Sequence, residues 1–287
     1  MTEPFDAPAP LSGDSQIPET AETPAAPARN RGLPPAGNLS TGLLKLIALF
    51  FMVIDHLGAV VFPSVPEMRI LGRIAFPIYC WCMVVGFYHT RSVPKYLGRI
   101  LLTGVLVQPL YAYVMNHVGN TGNLLVDLYV PHPNIFLTLF LGLAALWGIR
   151  EKEWFSHLWA PAAAICLATV LRVDYGWQGV LFIILLYAAR GTKSAIAAVM
   201  IAYFLYWGTM YRTTSVLFGW TLPWKDLPAF LSNPLSAFFR METYGLLSLP
   251  FILIPMKKNI RLPLWLSYGI YPAHLLVVLA VKLLLKA

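Results

Sequence analysis

Lys45, Asp55 and His56 stand inside LLKLIALFFMVIDHLGAVVF, residues 43–62, an apolar run long enough to cross a bilayer. Ionisable groups at that depth are costly, and their presence marks a functional site. On a helix His56 follows Lys45 by three turns with an offset of about 20°, so the two share a face about 16 Å apart along the axis. A cation near one membrane surface and an imidazole three turns deeper suit a long anionic cofactor whose reactive end must reach a base. Asp55 points about 100° away from His56 and is expected to pair with a base on another helix.

Other polar residues are expected to join this layer. His274, in LWLSYGIYPAHLLVVLAV, lies about as far into the last apolar run as His56 lies into the first, so the two imidazoles share a depth if both runs start at the same surface. Arg69 and Arg73 in MRILGRIAFP, Asn134 in NIFLTL and Asp174 in DYGWQG are placed towards the opposite side. Each also has a structural reading. His56 could bond a neighbouring carbonyl, His274 could bond carbonyls freed by Pro272, and Arg73 could snorkel to the interface. Asp174 could be a turn residue, or it could neutralise an outer cationic site beside Arg172, with Gly176 and Gly179 allowing close helix approach. Glu242 reads as a solvated partner of Arg240 at a helix start, and His89 as interfacial.

The elements that must position these residues are helices. Of the 287 residues 58% are hydrophobic and 12% charged, a composition that excludes an ordinary soluble domain. The expected fold is all-α, a polytopic transmembrane helical bundle of about nine spans (eight to ten). The spans are placed at 43–62, 70–89, 97–116, 134–149, 157–171, 176–189, 194–210, 243–256 and 263–284. Residues 212–240 carry Trp220, Pro223, Trp224, Pro228 and Pro234 and read as interfacial or re-entrant. Residues 1–40 form a Pro/Ala-rich tail too poor in large apolar side chains to fold, and 41–287 form the membrane domain. The first span is expected to be its own insertion signal.

The net charge of +8, from 21 basic and 13 acidic residues, is distributed in short clusters between spans, which points to topology and away from nucleic acid. Arg91, Lys95, Arg99, Arg150, Lys152, Arg190, Lys193, Lys257, Lys258 and Arg261 fall in the expected cytoplasmic loops. Arg69 and Arg172 fall in the outer ones, and Arg212, Lys225 and Arg240 add to the long outer loop. The amino terminus is therefore expected inside. Cys80, Cys82 and Cys166 lie in apolar runs and imply neither a disulfide framework nor a metal site. No nucleotide-binding glycine loop, zinc spacing or nucleophile elbow occurs in the sequence.

LKLIALFFMVIDHLGAVVFP, MRILGRIAFPIYCWCMVVGFYHT, NIFLTLFLGL, VDYGWQGVLFIILLY and YGIYPAHLLVVL together resemble the TraX family of conjugal transfer membrane proteins, from about residue 43 to 283. The tail and residues 212–240 stand outside the resemblance. It implies an acetyltransferase of the bacterial inner membrane, multi-pass, that acetylates the amino terminus of pilin. It also implies acetyl-CoA as co-substrate and no metal. A more distant likeness, to membrane acyltransferases that modify surface sugars, rests on a basic residue, ten intervening residues and a histidine, as in Lys45 to His56.

On that footing Lys45, with Arg69, would serve the cofactor, Lys45 holding CoA phosphates as a point charge. His56 would be the general base, and Asp55 would orient a partner or supply counter-charge. Arg73, Asn134 or His274 would donate to the developing oxyanion. The acceptor would be pilin or another membrane or periplasmic molecule, with membrane lipids the surrounding partners. Acyl transfer to a surface glycan or lipid, a small transporter, and a non-enzymatic assembly factor are the alternatives.

Overall fold

The computed structural model describes residues 32–151, 153–224, 226–256, 260 and 262–285. Residues 1–31 of the tail, and Lys152, Lys225, Lys257, Lys258 and Arg261 of the charge count, lie outside the described residues. Among the described residues β structure is limited to Val216–Leu217 paired with Trp220–Thr221, plus one isolated bridge between Thr213 and Arg240. Everything else that is regular is helical.

The first helix, α1, spans Thr41–Val60 and buries Leu44, Ala48, Met52 and Asp55, a stripe at helical spacing. A carboxylate thus occupies a position of the core-facing stripe. Two helices follow, α2 (Pro66–Gly72) and α3 (Ala75–His89), which together make one apolar run. Pro77 explains the break between them: in an uninterrupted helix its ring would collide with the carbonyl of Arg73, four residues earlier. The chain relaxes at Arg73 and Ile74, and this turn aims the Arg73 side chain at α1. Gly72 is needed at the same place, because a Cβ there would overlap the Asp55 side chain. Gly58 of α1 plays the reciprocal part, since a Cβ on it would meet the Met68 Cβ at 2.6 Å.

α3 is buried almost all round, with Ile78, Cys80, Trp81, Val84 and Phe87 at or near zero exposure. It is the centre against which α1, α6 (Ile135–Glu151), α8 (Gly176–Ala189) and the 3₁₀ segment Met241–Ser248 pack. Cys80 and Cys82 are packing residues of this helix. Between these elements lie α4 (Val93–Val114), the short α5 (Leu124–Tyr129), α7 (Trp154–Val170) and α9 (Lys193–Gly208). The chain closes with α10 (Ala229–Ala237), α11 (Leu249–Leu253) and α12 (Leu264–Leu285).

All nine expected apolar segments are helical, with ends within a few residues of those read from the sequence. Among the described residues four runs are long and apolar enough to cross a membrane: Thr41–Val60, Pro66–His89, Val93–Val114 and Trp265–Leu285. Residues 212–240 form the small hairpin and α10, which expose Phe218, Trp220 and Phe230. The end of the tail is laid against the bundle. Asn38 is fully buried, its carbonyl accepts from the Trp81 indole at 2.7 Å, and its side-chain amide donates to the Phe251 carbonyl at 3.0 Å.

Candidate active site

Asp55 holds two guanidinium groups. Arg73 donates to its Oδ1 at 2.8 Å and Arg69 to its Oδ2 at 2.5 Å. Arg73 extends the network by donating to Glu242 Oε1 at 3.0 Å, and both of these side chains are buried. Asp55 therefore pairs across helices, as its direction on α1 requires, and Arg73 lies inside the bundle. Glu242 corrects the sequence reading, which made it a solvated partner of Arg240. It is buried at the start of the 3₁₀ segment and faces Arg73, because two arginines on one turn exceed what Asp55 alone neutralises. That charge imbalance was the available signal.

Next to Asp55 on α1, His56 turns the other way and meets His274 of α12, with Nδ1 of the first 2.7 Å from Nε2 of the second. A proton must sit between two ring nitrogens at that distance. Their rings stack with centroids 4.9 Å apart, and Tyr271, one turn before His274, packs edge-on against it at 4.7 Å. α12 runs beside α1 in the same direction, which brings two histidines of equal depth into contact.

A cavity of about 350 Å³ runs from this pair along α1. His56, Asp55, Asp174 and Tyr175 line one end, and Lys45, His89, Thr90, Tyr96 and Arg99 line the other. Between them the wall is largely apolar, formed by Met52, Ala75, Phe76, Met83, Ile135 and Leu139. Lys45 and His56 thus open on one cavity, three turns apart. The volume falls at the lower end of ordinary ligand sites, and the gradient from basic mouth to imidazole floor fits an elongated anion with an apolar arm.

Asp174 and Tyr175 enter through the turn before α8. Tyr175 adopts a left-handed backbone, φ 61°, which an L residue holds only where its surroundings fix it. Here its ring stacks on Phe76 at 4.0 Å, and the Arg73 guanidinium lies 5.6 Å from the ring centroid. Asp174 Oδ1 accepts from the Tyr175 backbone N–H at 3.0 Å, and the Thr138 hydroxyl donates to the Asp174 carbonyl. Burial pushes the Asp174 carboxyl up to about 6, against the opposing pull of Arg73. Arg172 is exposed and forms no ion pair with Asp174. Gly179 lies where a Cβ would meet Tyr175 and Thr138, so it does permit close approach at this corner.

Asn134 stands apart from the cluster. Its side chain accepts from the Phe136 N–H at 3.0 Å and donates to the Gly104 carbonyl at 2.9 Å, tying the start of α6 to α4. Tyr175 and Tyr271 line the site and were not anticipated; a tyrosine beside an apolar span reads equally well as an interfacial anchor.

A helical protein with membrane-length apolar runs, a buried guanidinium–carboxylate network and a histidine pair at the floor of a long cavity defines the class. The chain belongs to the TraX family: the family described as TraX protein matches residues 40–282, a range that encloses residues 212–240. A Dichelobacter nodosus protein named "Probable fimbrial assembly protein FimC, serogroup H1" is 32% identical over 150 residues, which is 50% of this chain and 59% of that one. "Uncharacterized protein RP591" of Rickettsia prowazekii (strain Madrid E) is 38% identical over 88 residues, 31% of this chain and 33% of that one. The chain thus spans less than two thirds of either relative. No solved structure matches.

Proposed function

We propose that the protein is an integral membrane acetyltransferase that carries acetyl from acetyl-CoA to the amino terminus of a pilus subunit. The observation that carries this reading is the single cavity that joins Lys45 to the His56–His274 pair. Membership of the TraX family and the name of the fimbrial relative support a part in pilus assembly.

Lys45, with Arg99, Tyr96 and His89 at the same mouth, would hold the phosphates of CoA, and the apolar wall would take the pantetheine arm. With the His56 Nδ1–H donated to His274 Nε2, His56 Nε2 carries the lone pair and is the general base. It takes a proton from the acceptor amine as the amine nitrogen attacks the thioester carbonyl. The carbon–sulfur bond then breaks, and the thiolate takes the proton back. His274 fixes the tautomer of His56 and stabilises the imidazolium that forms. Asp55, tied by Arg69 and Arg73, holds α1 in register with α2 and lends counter-charge. Nothing places Arg69 at the basic mouth; its contact with Asp55 gives it a part in positioning.

Nine spans with the amino terminus in the cytoplasm complete the proposal. The shorter helices α6 to α9 and the segment from Met241 to Leu253 would cross beside the longer ones. The test is release of CoA thiol from acetyl-CoA by purified protein in the presence of a peptide with a free amino terminus. Release by the wild type and its loss in His56→Ala support the reading, and equal release by both contradicts it. An assembly role without chemistry would leave no such release.

A further inference from the structure

Charge balance around the site leaves one group over. Asp55 and Glu242 together match Arg69 and Arg73, and each of these four charges is in a direct ion pair. Asp174 is not: among the described residues it has no ion-pair partner, although it lines the cavity beside His56 and Tyr175. Among the described residues only one of its carboxylate oxygens accepts a hydrogen bond, from the Tyr175 amide. The cations of the cavity, Lys45 and Arg99, line its opposite end. A carboxylate in a cavity of this kind lacks a cation, and a site is complete when its occupant supplies one.

We propose that Asp174 is the acceptor-binding residue and that it recognises a primary ammonium group, presenting it to the imidazole pair. This deepens the reading above and rests on it for the transfer step. It also separates amine acceptors from hydroxyl acceptors, because a sugar or glycerol hydroxyl brings no charge to balance Asp174. The Arg73 guanidinium against the Tyr175 ring fixes the turn that carries Asp174. Thr138 secures the same turn from α6. Two protons are lost on the way to the amide. The ammonium binds charged and gives the first through His56 to solvent, and the second passes through His56 to the departing CoA thiolate as the amine attacks the thioester carbonyl. The product is a neutral amide that no longer pairs with Asp174 and is released.

The titratable and charged groups facing Asp174 are Arg69 from α2, Arg73 from the α2–α3 turn, Asp55 from α1, Tyr111 from α4, Tyr211 after α9, Tyr271 from α12, and its own neighbour Tyr175. Because burial raises the Asp174 carboxyl to about 6, ammonium recognition weakens as the pH falls through that value.

The experiment measures binding without acetyl-CoA, so that it stands apart from the transferase reading. A short peptide amide with a free amino terminus, and the same peptide with a hydroxyl in place of that amine, are titrated against the protein in lipid nanodiscs. The wild type is expected to bind the amine form about tenfold tighter or more, the size of a charge-assisted hydrogen bond. Asp174→Asn is expected to abolish that preference and Asp174→Glu to restore part of it. Should Asp174→Asn fail to fold, the wild type alone decides, by loss of the preference below about pH 6. Equal binding of the two peptides, binding of neither, or a preference that survives in Asp174→Asn overturns the proposal. Preferential binding with no CoA release would keep the ammonium site and remove the acetyl transfer.

Discussion

Gly72 and Asp55 occupy space that admits no further atom: a methyl group on Gly72 would overlap the Asp55 side chain. The closeness of α2 to α1 at this point is what lets Arg73, one residue on, reach Oδ1 at 2.8 Å. The local sequence Gly-Arg-Ile-Ala-Phe-Pro therefore has three mechanical parts: Gly72 for approach, Arg73 for charge and Pro77 for the break that turns Arg73 inward.

Gly72→Ala is expected to separate the two helices and cost about 1–3 kcal/mol, the ordinary penalty for overfilling a packed contact. Thermal unfolding in detergent, with CoA release as a second readout, checks it. An unchanged melting temperature would show that Asp55 can move aside.

The ion network should not respond evenly. Asp55→Asn leaves Arg69 without its carboxylate and Arg73 with Glu242 alone, whereas Glu242→Gln leaves both arginines held by Asp55. Asp55→Asn is expected to cost about 3–5 kcal/mol and Glu242→Gln less, since breaking a buried pair strands a buried charge. Chemical unfolding of the two variants side by side gives the order, and the reverse order would make Glu242 the main anchor of Arg73.

Lys45→Ala is expected to raise the acetyl-CoA concentration needed for half-maximal rate at least about tenfold while changing maximal turnover less, as for lost ground-state binding. A fall in turnover alone, with unchanged dependence on acetyl-CoA, would place Lys45 in the chemistry.

Acid sensitivity is expected at His117, which lies after α4 with its ring 4.4 Å from His132 and its Nδ1 buried without a hydrogen bond. Burial, with His132 adding to it, holds His117 below the ordinary histidine value of 6.5. The neutral ring is therefore favoured on folding, and stability is lost as the pH falls from that ordinary value towards the lowered one. The melting temperature should drop on going from about pH 7.5 to about pH 5.5, and drop less in His117→Asn. Equal drops would assign the acid sensitivity elsewhere.

Much of the fold was legible because apolar runs of helical length are an additive, local signal. Pairing Lys45 with His56 needed only the pitch of one helix, and placing His274 near His56 needed only equal depth in two parallel runs. Glu242 was misread because its environment is made by α2 and α3, far away in sequence, while its neighbour Arg240 offered a local partner. Asn134 looked like a site residue because it is polar at a span edge, yet capping α6 against α4 satisfies its side chain. The tail's last residues escaped for a similar reason: Asn38 and Gly37 have little apolar surface of their own, and what holds them is the Trp81 indole and the backbone of α11.

The most direct measurement is the intact mass of the pilus subunit from cells carrying the wild-type protein and from cells carrying only His56→Ala, with both proteins inserted to the same level. The account predicts a difference of one acetyl group, located at the subunit's amino terminus by fragmentation and absent in the variant. Identical masses in the two strains would contradict it.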